Sequence, residues 1–262
     1  MKQPVSFFFG LLLAGGVAAQ AHAASVLLLG DNGGETQVQT ALENAGHDVT
    51  LVTPYYDWDG INPNVADFDV VILLDGEDYG SPLEPAADAA LERHVKNGCA
   101  LVATEWVAYD VCGDSKSEEL GALLPVSSDP DCDFDYSETW TVDRPDDPLA
   151  AGLPAQWTDD AGYSFVEPRP GATVIITGAS GYPMLTRWDR FGGTVVHLNH
   201  DVTYSTTDID ANALQILINS ASIPCQVIAP APASSSLGLA AIAVLLLVAG
   251  AARLRRHADA DV

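Results

Sequence analysis

Positive charge is what this sequence has least of. Eleven lysines and arginines stand against thirty-six acids in 262 residues. Four of the eleven, Lys2, Arg253, Arg255 and Arg256, sit in the chain's ends. Between those ends thirty-four acids face seven bases, a net charge of −27. A surface so anionic repels phosphate backbones and anionic lipid heads, which excludes nucleic-acid binding. Divalent cations, cationic partners and a salty habitat all remain compatible with it. Catalytic signatures are missing too. No CxxC occurs, so neither dithiol redox chemistry nor a zinc knuckle is indicated. No Gly-x-Ser-x-Gly occurs, which leaves Ser/His/Asp catalysis without its nucleophile motif. The run "GDNGG" (30–34) lacks GxGxxG spacing, and its aspartate would repel a phosphate.

Long apolar runs occur only at the two ends. Residues 1–23 hold Lys2, then "FFFGLLLAGGVAA", then "AHA" before Ala24. A positive start, an apolar core and a small-x-small site predict an export signal. Near the other end, a Pro/Ala/Ser linker (226–236) leads into the uncharged stretch 237–252, followed by a basic tail at 253–262. A helix over that stretch covers about 24 Å, slightly short of a ~30 Å hydrocarbon core. Ser234–Ser236 and snorkelling arginines make up the difference. The arginines stay on the cytoplasmic side, which places residues 24–225 outside it. Linker, span and arginine cluster resemble the tripartite PEP-CTERM sorting signals handled by exosortases. The Pro-Glu-Pro of such signals is replaced by Ala-Pro-Ala-Pro-Ala. Sorting by cleavage and a plain single-span anchor both remain open; either attaches the protein to a membrane.

The stretch between the ends suits one domain with a sizeable core. It also carries all four cysteines, in a compartment where disulfides persist. Short apolar runs that end in polar, glycine-containing loops ("SVLLLGDNGG", "FDVVILLDGEDYG", "NGCALVATEW") read as buried strands. Between them, 35–47 and 82–98 read as amphipathic helices closed by glycine. Strand, helix, strand, strand, helix, strand predicts a doubly wound, mostly parallel α/β sheet with helices on both faces. Residues 107–137 read as a long acidic excursion. Four further strands ("SETWTV", "ATVIITG", "PMLTRWD", "GTVVHLN") and a helix at 209–222 complete the domain, the middle pair of strands antiparallel. Sheet polarity then pairs the cysteines. Cys99 precedes a strand and Cys225 follows the last helix, both at the sheet's N-terminal edge. Cys112 and Cys132 share the excursion at the opposite edge. The expected disulfides are Cys99–Cys225 and Cys112–Cys132.

This order of elements resembles the class I glutamine amidotransferase-like superfamily, a flavodoxin-like fold, nearest its trehalose-utilisation-type branch. The likeness is carried by "VLLLGDNGG", by "FDVVILLDGEDYG" with its helix and "NGCALVATEW", by "DDPLAAGLP" (146–154), and by "PMLTRWDRFGGTVVHLNHD" (183–201). It implies a sharp turn from the fourth strand into a helix, where amidotransferases carry a cysteine in Gly-x-Cys-x-Gly and the trehalose-utilisation branch often a histidine. Glu105 stands at that position, between Thr104 and Trp106. Cys99 lies six residues too early and Cys112 seven too late. Glutamine hydrolysis, which needs an activated thiolate, is excluded.

The C-terminal tips of the strands are where an α/β sheet collects ligands. The topology should gather there Asp31 and Asn32, then Asp75, Glu77 and Asp78, then Glu105 with Trp106, and finally His200 with Asp201. Carboxylates with one histidine can bind a divalent cation or a small polar ligand, or supply an acid/base pair for carbohydrate chemistry, with Glu105 and His200 in those roles. Glu105 can equally cap a helix or accept backbone N–H bonds. His197 and His200 fall on different faces of their strand; His197 reads as packed, and His200 matches the family's histidine. The aromatics Tyr55, Tyr56, Trp58, Tyr79 and Trp106 can stack on sugar rings or anchor loops. Aspartates at 129, 131, 133 and 135 alternate as calcium ligands do. An EF-hand frame started at Asp129 places Phe134 and Trp140 where glycine and glutamate are required, so a solvated acidic loop pinned by Cys132 is the expectation. No particular cofactor is indicated.

Overall fold

A computed structural model describes residues 23–31, 33–76, 81–113, 115–202 and 209–226, with Glu105 described by its backbone alone. The chain begins with β1 (Ser25–Leu29), α1 (Glu35–Asn44), β2 (Asp48–Val52), β3 (Val70–Leu73), α2 (Pro85–Lys96) and β4 (Ala100–Thr104). Next come α3 (Glu105–Cys112), α4 (Glu118–Leu123), β5 (Val126–Ser128), β6 (Phe134–Val142), β7 (Gln156–Ser164) and β8 (Val166–Pro168). The last elements are β9 (Thr173–Gly178), β10 (Pro183–Arg190), β11 (Gly193–Leu198) and α5 (Ala211–Ala221). Nine strands form one sheet in the order β2-β1-β3-β4-β11-β10-β9-β6-β7, and β5 pairs with β8 separately.

The first five of those strands are parallel, and their sequences show why. β3 is apolar throughout and β4 as far as Thr104, and both are fully buried, as strands covered on both faces must be. In β1 the side chains alternate between two cores. Val26 and Leu28 join α1 and α5 through Val38, Leu42, Ile216 and Leu217. Leu27 and Leu29 join α2, α3 and α4 through Leu91, Val107 and Leu120. Burying each such leucine contributes about 1.5–3 kcal/mol, so the two layers hold the strand tips rigidly.

The sheet is mixed rather than mostly parallel. β1–β2, β1–β3, β3–β4 and β4–β11 are parallel; β10–β11, β9–β10, β6–β9 and β6–β7 are antiparallel. For β9–β10 and β10–β11 short connections impose the second pattern, because a parallel crossover needs a dozen or more residues. Between β10 and β11 only Phe191 and Gly192 intervene, at φ 58° and 100°. Two consecutive left-handed residues make the hairpin turn whose twist matches its strands. Gly193 is required for another reason: a Cβ there would collide with the carbonyl oxygens of Val95 and Cys99.

The acidic stretch 107–137 is more regular than its composition suggests. It holds most of α3, all of α4 and β5, and the start of β6, with Val107, Ala108, Leu120 and Leu123 buried under the sheet. Acidic residues between those positions obscure the apolar periodicity. Both expected disulfides form, Cys99–Cys225 with Cα atoms 4.0 Å apart and Cys112–Cys132 at 5.7 Å. Among the described residues no helix is long and apolar enough to cross a membrane. The expected span, 237–252, lies outside the described residues, as does the expected export signal, 1–23, except for its last residue.

Candidate functional site

The parallel strands bring the expected residues to one edge, but they divide into two clusters. The first forms where β1 and β3 end. Asp31 and Asp75 are fully buried, two and two residues past their strands. Asp31 Oδ2 accepts from the amide of Gly76. The Asp75 amide donates to Thr104 Oγ1 at 3.1 Å, which ties the tips of β3 and β4 together. Between these acids lies a group that the sequence reading did not single out, the Lys116 ammonium from the α3–α4 loop. Its Nζ is 2.9 Å from Asp75 and 3.2 Å from Asp110, and both ends of each pair are buried. It also donates to the Tyr55 hydroxyl at 2.7 Å and to the Ser81 carbonyl at 2.9 Å.

Three buried carboxylates around one ammonium leave a negative excess. Burial pushes the Asp75 carboxyl up to about 7, with the charges of Asp110 and Asp31 adding to it and Lys116 opposing it. The Tyr55 phenol is raised for the same reasons, burial first and then the three aspartates, and so stays protonated. A protein cation thus occupies the place where the sequence suggested a bound one. Tyr55 and Trp58 serve as anchors, Tyr55 through this network and Trp58 through its Nε1–H bond to the Pro63 carbonyl at 3.0 Å. Lys116 had one signal in the sequence: it is one of only two lysines between the chain's ends.

The second cluster forms beyond β11. His200 is 1% exposed, and its Nε2 lies 3.2 Å from Asp159 Oδ2 in β7. Its carboxylate partner is therefore on a strand that sequence reasoning had not connected to it. Asp159 is held from behind. Trp157 Nε1 donates to Oδ2 at 3.0 Å, and Trp140 Nε1 donates to both oxygens at 3.1 and 3.2 Å. Burial alone would raise the Asp159 carboxyl, but the bonds from His200 and the two indoles outweigh it and hold it below the usual range. Asp210 completes the group from the start of α5, where its Oδ1 accepts from the amides of Asn212 and Ala213. One ligand-capable atom from each of Asp159, His200 and Asp210 lies within 4.8 Å of the others. Asn199 fixes the exit of β11, bonding Ser164 through both its amide and its carbonyl and donating to the Pro183 carbonyl, each at 2.9 Å.

The other expected residues are distributed around these clusters. Glu105 opens α3 directly after Thr104, the last residue of β4; its side chain lies outside the described set. Asn32, Glu77, Asp78 and Tyr79 also lie outside the described residues. Trp106 is buried and packs edge-on against Tyr109 and Phe134, with ring centroids 5.2 and 5.5 Å apart. Asp201 is buried and its amide bonds to the Gly162 carbonyl at 2.8 Å. His197 is fully buried within β11, as expected of a packed histidine. Asp129, Asp131 and Asp133 bring carboxylates within 4.8 Å of one another, with Asp129 Oδ1 accepting from the Asp133 amide. All four cysteines are oxidised, so no thiol stands at this edge.

Neither a family model nor a curated protein matches the chain. Solved structures do. A cytoplasmic protein from Salmonella typhimurium superposes with a TM-score of 0.63 at 16% identity, covering 78% of this chain and 100% of its own. A ThuA-like protein from Bacteroides uniformis gives 0.58 at 14% identity, over 75% of this chain and 88% of its own. Another ThuA-like protein, from Parabacteroides merdae, gives 0.55 at 15% identity, over 81% and 94%. At such identities the likeness concerns the fold alone: this chain and those proteins share one α/β arrangement.

Proposed function

We propose that this chain is an exported, membrane-anchored surface protein whose ThuA-like domain binds a cation or a small polar ligand and performs no glutamine chemistry. The observation that carries this reading is the oxidation of all four cysteines into two disulfides, away from the turn at Glu105. It supports an oxidising compartment and leaves no thiolate for acyl transfer. Lys116 already fills the β1–β3 side of the edge with a cation of the chain's own, so binding falls to the side near His200. The test is to express the full chain, separate membranes, and add protease from outside. A membrane-bound, protease-accessible domain supports the placement; a soluble, protected one overturns it. Thermal unfolding of the detergent-solubilised chain across divalent cations and sugars tests binding, because a ligand of the folded state raises its midpoint.

One observation favours a second reading, a carbohydrate hydrolase or isomerase with Glu105 and His200 as acid and base. Asp159 orients His200 through Nε2, and Nδ1 has no hydrogen-bond partner among the described residues. That is the relation of a base to its orienting group. Turnover of a sugar that is lost in both Glu105→Gln and His200→Ala, with folding intact, would establish it in place of the non-catalytic reading.

A further inference from the structure

Asp159, His200 and Asp210 converge from three separate places: the middle of β7, the exit of β11 and the N-cap of α5. The donor set is one imidazole and two carboxylates. Nitrogen with carboxylate oxygen suits Zn2+ and neighbouring transition metals; Ca2+ and Mg2+ favour all-oxygen shells. The separations also suit a small ion. His200 Nε2 and Asp159 Oδ2 lie 3.2 Å apart, and two ligands of a tetrahedral zinc with bonds of 2.0–2.1 Å are about 3.3 Å apart.

Two features distinguish this group from a plain ion pair. The first is His200 itself, almost wholly buried and with Nδ1 unpartnered among the described residues. When an ion binds, Nδ1 keeps the ring's proton and Nε2 gives up the one it shares with Asp159, which leaves the Nε2 lone pair facing the ion. The second is the support behind the carboxylates. The Trp140 and Trp157 indoles orient Asp159, and the amides of Asn212 and Ala213 orient Asp210 through Oδ1. Outer contacts of this kind fix metal ligands in place. The partial positive charge of α5's first turn opposes a cation, and two carboxylates within reach outweigh it.

We infer that Asp159, His200 and Asp210 form a binding site for a divalent transition-metal ion of the Zn2+ class. The inference deepens the binding function proposed above and rests on it. It also differs from the acidic loop at Asp129, Asp131 and Asp133, which offers only exposed or half-exposed oxygens and no imidazole.

The test uses the full chain, stripped of metal by chelator and titrated calorimetrically with ZnCl2 and, separately, CaCl2. One saturable Zn2+ per chain is expected, undisturbed by millimolar Ca2+. Asp210→Asn should weaken it at least tenfold while keeping the cap, because asparagine caps helices as well as aspartate does. His200→Gln should abolish it, and Asp131→Asn should leave it unchanged. The metal-free variants are melted first, to show that they are folded. No saturable Zn2+ binding, or binding that Asp210→Asn and His200→Gln leave intact, overturns the site. In that event, a sugar or other small polar ligand whose thermal shift is lost in His200→Gln keeps the broader binding function and refutes only the metal. No shift with any ligand refutes both.

Discussion

Two polar clusters lie at the same end of one sheet, and they solve the problem of buried charge differently. Around Asp31, Asp75 and Asp110 the chain supplies its own cation, Lys116, and closes the network with Tyr55 and a backbone carbonyl. Around Asp159, His200 and Asp210 it supplies hydrogen-bond donors to hold the acids in place, and no lysine or arginine is paired with them among the described residues. Charge paired from within makes a brace. Acids that are oriented without such a pairing are what the proposed ion site would use.

The strongest way to break this contrast is Lys116→Met. Removing one partner of a buried pair costs about 3–5 kcal/mol because the remaining charges stay buried. Urea unfolding at pH 7.5 should show a loss of that size, and a loss under about 1 kcal/mol would mean that Lys116 is no brace. Cys112→Ser with Cys132→Ser comes next. That disulfide spans twenty residues and holds the segment that carries Asp110 and Lys116, so its removal should cost about 3 kcal/mol. A smaller effect would mean that the brace holds the segment unaided.

pH dependence sharpens the comparison further. A carboxyl raised to about 7 when folded keeps a proton that the unfolded chain releases near pH 4. Asp75 therefore favours the folded state below pH 4, and this contribution is lost as pH rises from 4 to 7. Burial lowers His94 to about 4, so its contribution is present above pH 6.5 and lost as pH falls towards 4. The two slopes oppose each other over that range. Asp75→Asn removes only the first, so wild type minus variant stability should fall between pH 4 and 7, by on the order of 4 kcal/mol at most, and level off above. A flat difference would mean that Lys116 keeps Asp75 ionised throughout.

Smaller effects are expected in the second cluster. Trp157→Phe removes one donor to a charged carboxylate, worth about 1.5–3 kcal/mol in general, and Trp140 remains to share the load. About 1 kcal/mol of stability and a tenfold weakening of Zn2+ are expected by calorimetry. Asp131→Asn, at the exposed loop, should change neither measurably.

Much of the framework was legible. The apolar runs of β1, β3 and β4 announced buried parallel strands, and their polar exits placed Asp31, Asp75 and Glu105 at one edge. Strand polarity paired the cysteines. The partners within each cluster were not legible, because they depend on which distant strands become neighbours. Asp159 lies in "WTDDAGYS", an unremarkable alternation until β6 docks on β9 and the Asp201 amide reaches Gly162. Lys116 lies in "GDSKSEEL", which reads as solvated loop. Only the folding of α3 and α4 onto the sheet turns that lysine inward.

The Cys99–Cys225 bond has a mechanical consequence. Cys225 is the next-to-last of the described residues, and the amide of the last, Gln226, is also bonded to the Gly98 carbonyl at 2.8 Å. A pull on the chain beyond that point does not peel α5 from its face. The load passes through sulfur to the residue before β4, in the middle of the sheet, where parallel neighbours on both sides resist in shear. The last helix is thereby bypassed, and such a load is borne by β4 and its two parallel neighbours.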